Sequence, residues 1–126
     1  MKTIATMKAP GAIGPYSQGI IAGNLVFTSG QLPINTATGA LETADIRRAA
    51  RYSLENCRAV LEAAGAALGN VAKTTVFLTD MADFGAFNEA YAAFFAGTGD
   101  PPARSCVQVA ALPKGAKIEI EMIAAL

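Results

Sequence analysis

Pro102-Ala103-Arg104-Ser105-Cys106-Val107, followed by Ile118-Glu119-Ile120-Glu121-Met122, is the stretch on which the reading of this chain turns. Both runs read as strands, and Leu112 to Gly115, with Pro113 and Gly115, reads as the hairpin loop joining them. Side chains alternate along a strand. Arg104, Cys106 and Gln108 therefore share one face, and Ser105, Val107 and Val109 the other. In the last strand Lys117, Glu119 and Glu121 oppose Ile118, Ile120 and Met122. The apolar sets mark the core, and the polar sets point away from it, towards solvent or an interface between subunits. Adjacent strands would bring Arg104, Cys106 and Glu119 together, although the sequence leaves the hairpin register open.

Working back towards the N-terminus, Ser17 to Ala22 and Leu25 to Ser29 flank Gly23-Asn24, a two-residue turn, and read as a hairpin. Thr36 to Gly39 is a polar loop. From Asp45 the spacing becomes helical: Ile46, Ala50, Leu54, Cys57, Leu61 and Ala64 form one apolar stripe. Arg51–Glu55 and Arg58–Glu62, four residues apart, are candidate ion pairs off that stripe. Gly65 or Gly69 ends the helix. Lys73 to Thr79 reads as a strand. Asp83 is a candidate N-cap for a second helix carrying Phe84, Phe87, Tyr91, Phe94 and Phe95. The order strand, strand, helix, strand, helix, strand, strand implies an α+β domain, with two helices on one face of a mainly antiparallel sheet. Other subunits are the expected cover for the opposite face.

At 126 residues the chain is one domain, with a single core and no linker or repeat. Hydrophobic residues make up 52% and charged residues only 16%, which leaves apolar surface to cover and suggests a homo-oligomer. Ten basic and ten acidic residues cancel, and the basic ones are scattered, so a nucleic-acid partner is not expected. No apolar run is long enough to span a bilayer and the N-terminus lacks a signal-peptide core, so a cytoplasmic protein without a membrane partner is expected. The two cysteines, Cys57 and Cys106, show no disulfide spacing. There is no histidine. That removes Ser-His-Asp and Cys-His nucleophilic sites, most zinc sites and the zinc deaminases.

What remains for chemistry is Arg, Glu, Tyr, Cys, Ser, backbone groups and water. A guanidinium is a planar fork that grips a carboxylate with two parallel hydrogen bonds. A nearby carboxylate holds or deprotonates water. Arg104 and Glu119 thus suit attack of water on a small molecule that carries its own carboxylate, although periodicity alone also fits two solvated strand residues. Cys106 reads as a small packing residue, since no histidine could activate it. Tyr16, after the rigid Gly14-Pro15, fits a buried tyrosine as well as a cleft residue. Ser29-Gly30 permits close backbone approach to a ligand. Asn88 fits a surface residue as well as a binding one. The aromatic set on the second helix reads as core rather than as a stacking platform.

Taken together, Ile13-Gly14-Pro15-Tyr16, Thr28-Ser29-Gly30-Gln31, Lys73-Thr74-Thr75-Val76-Phe77, Pro102 to Val107, Leu112-Pro113-Lys114 and Ile118-Glu119-Ile120-Glu121 resemble the RidA (YjgF) family of enamine/imine deaminases. The resemblance covers about Thr3 to Ala124. It implies a homotrimer of chorismate-mutase-like protomers with clefts between subunits. It implies hydrolysis of 2-aminoacrylate and related imines to 2-keto acids and ammonia, with neither metal nor organic cofactor. By that resemblance Arg104 and Glu119 would be catalytic, and Arg104, Tyr16, Ser29, Gly30, Asn88, Ser105 and Cys106 would bind substrate. The alternative is a non-catalytic module that binds small carboxylates such as keto acids in the same cleft. A nucleic-acid activity, attributed to some relatives, is disfavoured by the neutral charge.

Overall fold

The computed structural model describes residues 1–126. Its order is β1 (Lys2–Ile4), β2 (Gly19–Ala22), β3 (Leu25–Thr28), α1 (Ile46–Ala63), β4 (Val71–Leu78), α2 (Phe84–Phe95), β5 (Ala103–Gln108) and β6 (Ile118–Ala125). The strands form one mixed sheet in the order β1-β2-β3-β6-β4-β5. All neighbours are antiparallel except β4 and β5, which run parallel. β1, three residues at the sheet edge, is an addition to the elements expected from sequence.

The β2–β3 hairpin forms as its turn chemistry dictates. Ala22 pairs with Leu25, and Gly23 takes φ +60° between them. A glycine at the first central position is what a type II′ turn requires. In α1 the Asp45 side chain accepts from the backbone N–H groups of Arg47 and Arg48. Gly65, at φ +88°, closes the other end: its N–H donates to Glu62 and that of Ala66 donates to Leu61. This is a Schellman arrangement, and it explains why the helix stops at the first of the two candidate glycines. Of the expected ion pairs, Arg58–Glu62 forms at 3.8 Å. Arg51–Glu55 does not form; Glu55 lies 3.9 Å from Arg58 instead.

Leu54, Cys57, Val60 and Leu61 of α1 and Phe87 and Tyr91 of α2 pack on Val76, Leu78, Ile118, Ile120 and Met122 of the sheet. The cap of α2 departs from expectation. Asp83 stands at the N-cap position without a side-chain hydrogen bond, while Asp80 caps the 3₁₀ turn that precedes it.

The last two strands are not a hairpin. α2 returns the chain so that β5 lies parallel to β4 at the sheet edge, as a strand–helix–strand unit requires. The connection over residues 109–117 then crosses the end of β4, and β6 pairs with β3 and β4. Lys114 lies in this crossing and is the one non-glycine residue with positive φ, at 60°.

The face assignment of β6 holds, with Ile118, Ile120 and Met122 buried against the helices. That of β5 is reversed. Arg104 and Cys106 face the helices, whereas Ser105 and Val107 lie on the uncovered side. Alternation separates the two sets but does not say which is covered. On this edge strand the helix side is met by aromatic rings that accept a cation.

Candidate active site

Arg104 and Glu119 therefore lie apart within one chain. Thr74 is the register partner of Arg104, and Phe77 that of Glu119. Two strand spacings and three residues of rise separate their Cα atoms by about 14 Å. They also project from opposite faces of the sheet. Each lines a depression of its own.

The first is a groove of about 670 Å³ between β5 and α2, lined by Asn88, Tyr91, Phe95, Pro102 and Arg104 among others. Arg104 Nη1 donates to Asn88 Oδ1 at 2.8 Å. Its guanidinium carbon stands 4.8 Å from the ring centroid of Tyr91, 5.5 Å from that of Phe87 and 5.6 Å from that of Phe84. The aromatic set is thus both core and platform. Its signal was present in sequence, because positions 84, 87, 88 and 91 share one helix face. Cys106 lies two residues along on the same face, half-buried against the core. Burial pushes its thiol pKa up against the opposing pull of Arg104, so it is a poor nucleophile.

The second depression, about 310 Å³, is lined by Ile13, Tyr16, Ser29, Gly30, Leu32, Pro113 and Glu119. A bulge in β3 builds it. Phe27 pairs with Ile123 and Gln31 with Ile120, so three residues, Thr28 to Gly30, oppose two, Glu121 and Met122. The Thr28 hydroxyl accepts from Met122 N–H at 3.0 Å and patches the interrupted ladder. The detour presses Gly30 against Glu119, where a Cβ would stand 2.6 Å from Oε1. Any larger residue would have to displace the Glu119 carboxylate. Burial first, and then the charge of Glu121, raises the Glu119 carboxyl above the usual range. Tyr16 is about half exposed, its relative accessibility 49%. The buried Gln18 amide donates to Thr6, Ala9 and Pro10 carbonyls, tethering the loop before Tyr16, a role not read from sequence.

The structure thus brings together Tyr16, Ser29, Gly30 and Glu119 in one place, and Asn88, Arg104 and Cys106 in another. Ser105 joins neither group of side chains; its hydroxyl accepts from Lys73 Nζ at 3.0 Å on the uncovered face. No three His, Cys, Asp or Glu side chains gather as metal ligands.

Comparison with known proteins agrees with this architecture. Residues 6–126 match the family described as endoribonuclease L-PSP. The chain is 55% identical over 124 residues to the 2-iminobutanoate/2-iminopropanoate deaminase of Escherichia coli K12, covering 98% of this chain and 96% of that one. The structure of E. coli TdcF with bound serine superposes with a TM-score of 0.95 at 52% identity, covering 100% of this chain and 99% of the other. The E. coli YjgF gene product does so with a TM-score of 0.95 at 53% identity, covering 99% and 98%. The chain belongs to the endoribonuclease L-PSP family, the RidA family whose motifs its sequence carries. No helix is long and apolar enough to cross a membrane.

Proposed function

We propose that this protein hydrolyses reactive enamine and imine intermediates, 2-aminoacrylate/2-iminopropanoate and 2-iminobutanoate, to 2-keto acids and ammonia. Removing these species limits damage to pyridoxal-phosphate enzymes. The observation that carries the reading is a pair of unneutralised charges. Neither Arg104 nor Glu119 belongs to any of the ion pairs of the chain, which join Arg47, Arg48 and Arg58 to Glu42, Glu55, Glu62 and Glu89. A cation free to take a carboxylate and a carboxylate free to take a proton are what this reaction needs.

Arg104, held by Asn88, grips the substrate carboxylate with its remaining N–H donors. Glu119, whose raised pKa makes it a stronger base than an exposed carboxylate, holds a water molecule beside C2. Tyr16 and the backbone at Ser29 and Gly30 line the reacting end, and backbone groups at Ser105 and Cys106 help fix the substrate. Water adds to the C=N carbon as Glu119 takes its proton and the imine nitrogen gains one. The carbinolamine then collapses to the C=O and expels ammonia. Neither a metal nor an organic cofactor takes part. Because the substrate is already reactive, orientation supplies much of the acceleration.

Because the two residues occupy opposite faces of one sheet, a single chain does not assemble this site. We place it between neighbouring subunits of a homotrimer, Arg104 coming from one copy and Glu119 from the next. Phe27, Leu25 and Val107, exposed on strands of the sheet, support an interface there. Residues 1–126 act as a single domain, in the cytoplasm, where the enzymes that release such imines work.

The test is keto-acid formation from 2-aminoacrylate generated in situ by a serine dehydratase, with and without this protein, and with Arg104→Ala as control. Acceleration lost in the variant is expected. No acceleration by the wild type, with retained binding of keto acids, would leave a carboxylate-binding module in place of an enzyme.

A further inference from the structure

Asn88, the residue that bonds Arg104, is a neutral acceptor, and the remaining groups around the guanidinium are aromatic. An arginine side chain loses about 2 kcal/mol of rotamer freedom when fixed. A protein carboxylate would hold it firmly but would neutralise it and compete with any anionic ligand. Aromatic faces hold a cation with its charge intact and leave its N–H edges open.

Among the three rings, Tyr91 stands closest to the guanidinium, at 4.8 Å. It is also fixed at its far end. Its hydroxyl shares a buried 2.7 Å hydrogen bond with Thr74 Oγ1, and Thr74 is the register partner of Arg104 on β4. The rings of Phe87 and Phe95 bracket it, with centroids 5.5 and 4.8 Å away. Tyr91 cannot tilt without breaking a buried hydrogen bond. Burial raises the phenol pKa, against the Thr74 hydrogen bond and the Arg104 charge, so the hydroxyl stays protonated and the bond intact.

We propose that Tyr91, locked by Thr74, is a positioning residue that sets the orientation in which Arg104 presents its free donors to a ligand carboxylate. The inference rests on the reading of Arg104 as the carboxylate clamp. It adds two residues that touch neither the reacting carbon nor the water. The aromatic surface beneath the guanidinium then serves carboxylate recognition, beyond its part in the core.

The experiment measures affinity for pyruvate and for its neutral ester, methyl pyruvate, in wild type, Tyr91→Leu, Tyr91→Phe, Thr74→Val and Arg104→Ala, with KM and kcat on the imine substrate alongside. Tyr91→Leu is expected to weaken pyruvate about tenfold while methyl pyruvate changes less than about twofold. KM should rise by a similar factor with kcat nearly unchanged. Tyr91→Phe keeps the ring and loses the lock, so a loss of about two- to fourfold for pyruvate alone is expected, and the same for Thr74→Val. Unchanged pyruvate affinity in Tyr91→Leu, or equal loss of pyruvate and ester, overturns the proposal, the second outcome marking general loosening of the fold. If Tyr91→Leu does not fold, the two conservative variants decide, and unchanged pyruvate affinity in both overturns it. A wild type that binds pyruvate through Arg104 yet turns over no imine defeats the hydrolase reading alone, and the Tyr91 comparison still stands or falls on pyruvate. Pyruvate affinity indifferent to Arg104→Ala overturns both.

Discussion

Arg104 and Glu119 are both half-buried charges without an ion-pair partner, yet the chain holds them by different means. Arg104 stands on a regular strand over a helix face, fixed by rings and one amide carbonyl. Glu119 also stands on a regular strand, but the wall opposite it is irregular, a bulged β3 and the loop that carries Tyr16. The solvent-exposed pairs Arg47–Glu89 and Arg58–Glu62 hold charge in a third way, cation against anion at the surface. The contrast teaches that a functional charge can be immobilised without being quenched. A cation does so on aromatic faces. A carboxylate does so through burial and steric confinement, at the cost of a raised pKa.

The sharpest way to break this comparison is Arg104→Ala. Losing two charge-assisted hydrogen bonds is expected to lower kcat/KM on the imine by about 10²–10³-fold, with a thermal midpoint close to wild type because Arg104 lines an open groove on the edge strand and joins no ion pair. Normal turnover by that variant would sink the clamp. Glu119→Gln comes next: about a 10²-fold fall in kcat at nearly constant KM is expected. A large KM rise at constant kcat would make Glu119 a binding residue instead. Gly30→Ala sharpens the confinement argument. The added methyl meets Glu119 Oε1 at 2.6 Å, so the carboxylate must move, and kcat should fall about tenfold with substrate binding by Arg104 kept. A Gly30→Ala variant as fast as wild type would show that the close approach is incidental.

The smallest effect expected is on the pH profile. Activity that needs ionised Glu119 disappears as pH falls through its pKa, which burial and Glu121 hold above the ordinary range. Glu121→Gln removes the second cause, so the acid limb of kcat/KM should move to lower pH. Burial remains, so the limb should stay above that of an exposed glutamate. A limb that stays put or moves up would leave Glu119 without its assigned role.

What was legible in sequence was local. Gly23-Asn24 specified its hairpin, the stripe from Ile46 to Ala64 its helix, and Gly65 or Gly69 its end, because each signal lies within a few residues of the structure it controls. The alternation of Arg104 with Ser105 was legible too, but not which side α2 would cover. The pairing of β5 with β6 was misread for the same reason. A connection containing Pro113 and Gly115 fits a hairpin, and nothing within it reports that β4, tens of residues earlier, takes the intervening place. The role of Ser29-Gly30 as a bulge was hidden, since an extra residue on one strand is defined only by the register of its distant partner, β6. The motifs themselves carried the family, and with it residues that local physics left ambiguous.

The bulge that builds the Glu119 depression bears on the order in which the protein organises itself. The contacts that fix the clamp, Arg104–Asn88 and Thr74–Tyr91, span 16 and 17 residues and fall inside one strand–helix–strand unit. The bond that patches the bulge, Thr28–Met122, spans 94 residues. Closing the longer loop costs about 1.6 kcal/mol more in chain entropy. The acid–base wall is therefore the part of the protomer expected to close late in folding, as contacts of long sequence separation do. In pulse-labelled refolding the Met122 amide should gain protection after the β4–β5 ladder does. A chain still folding would then hold its carboxylate clamp in order before its capacity to attack has formed.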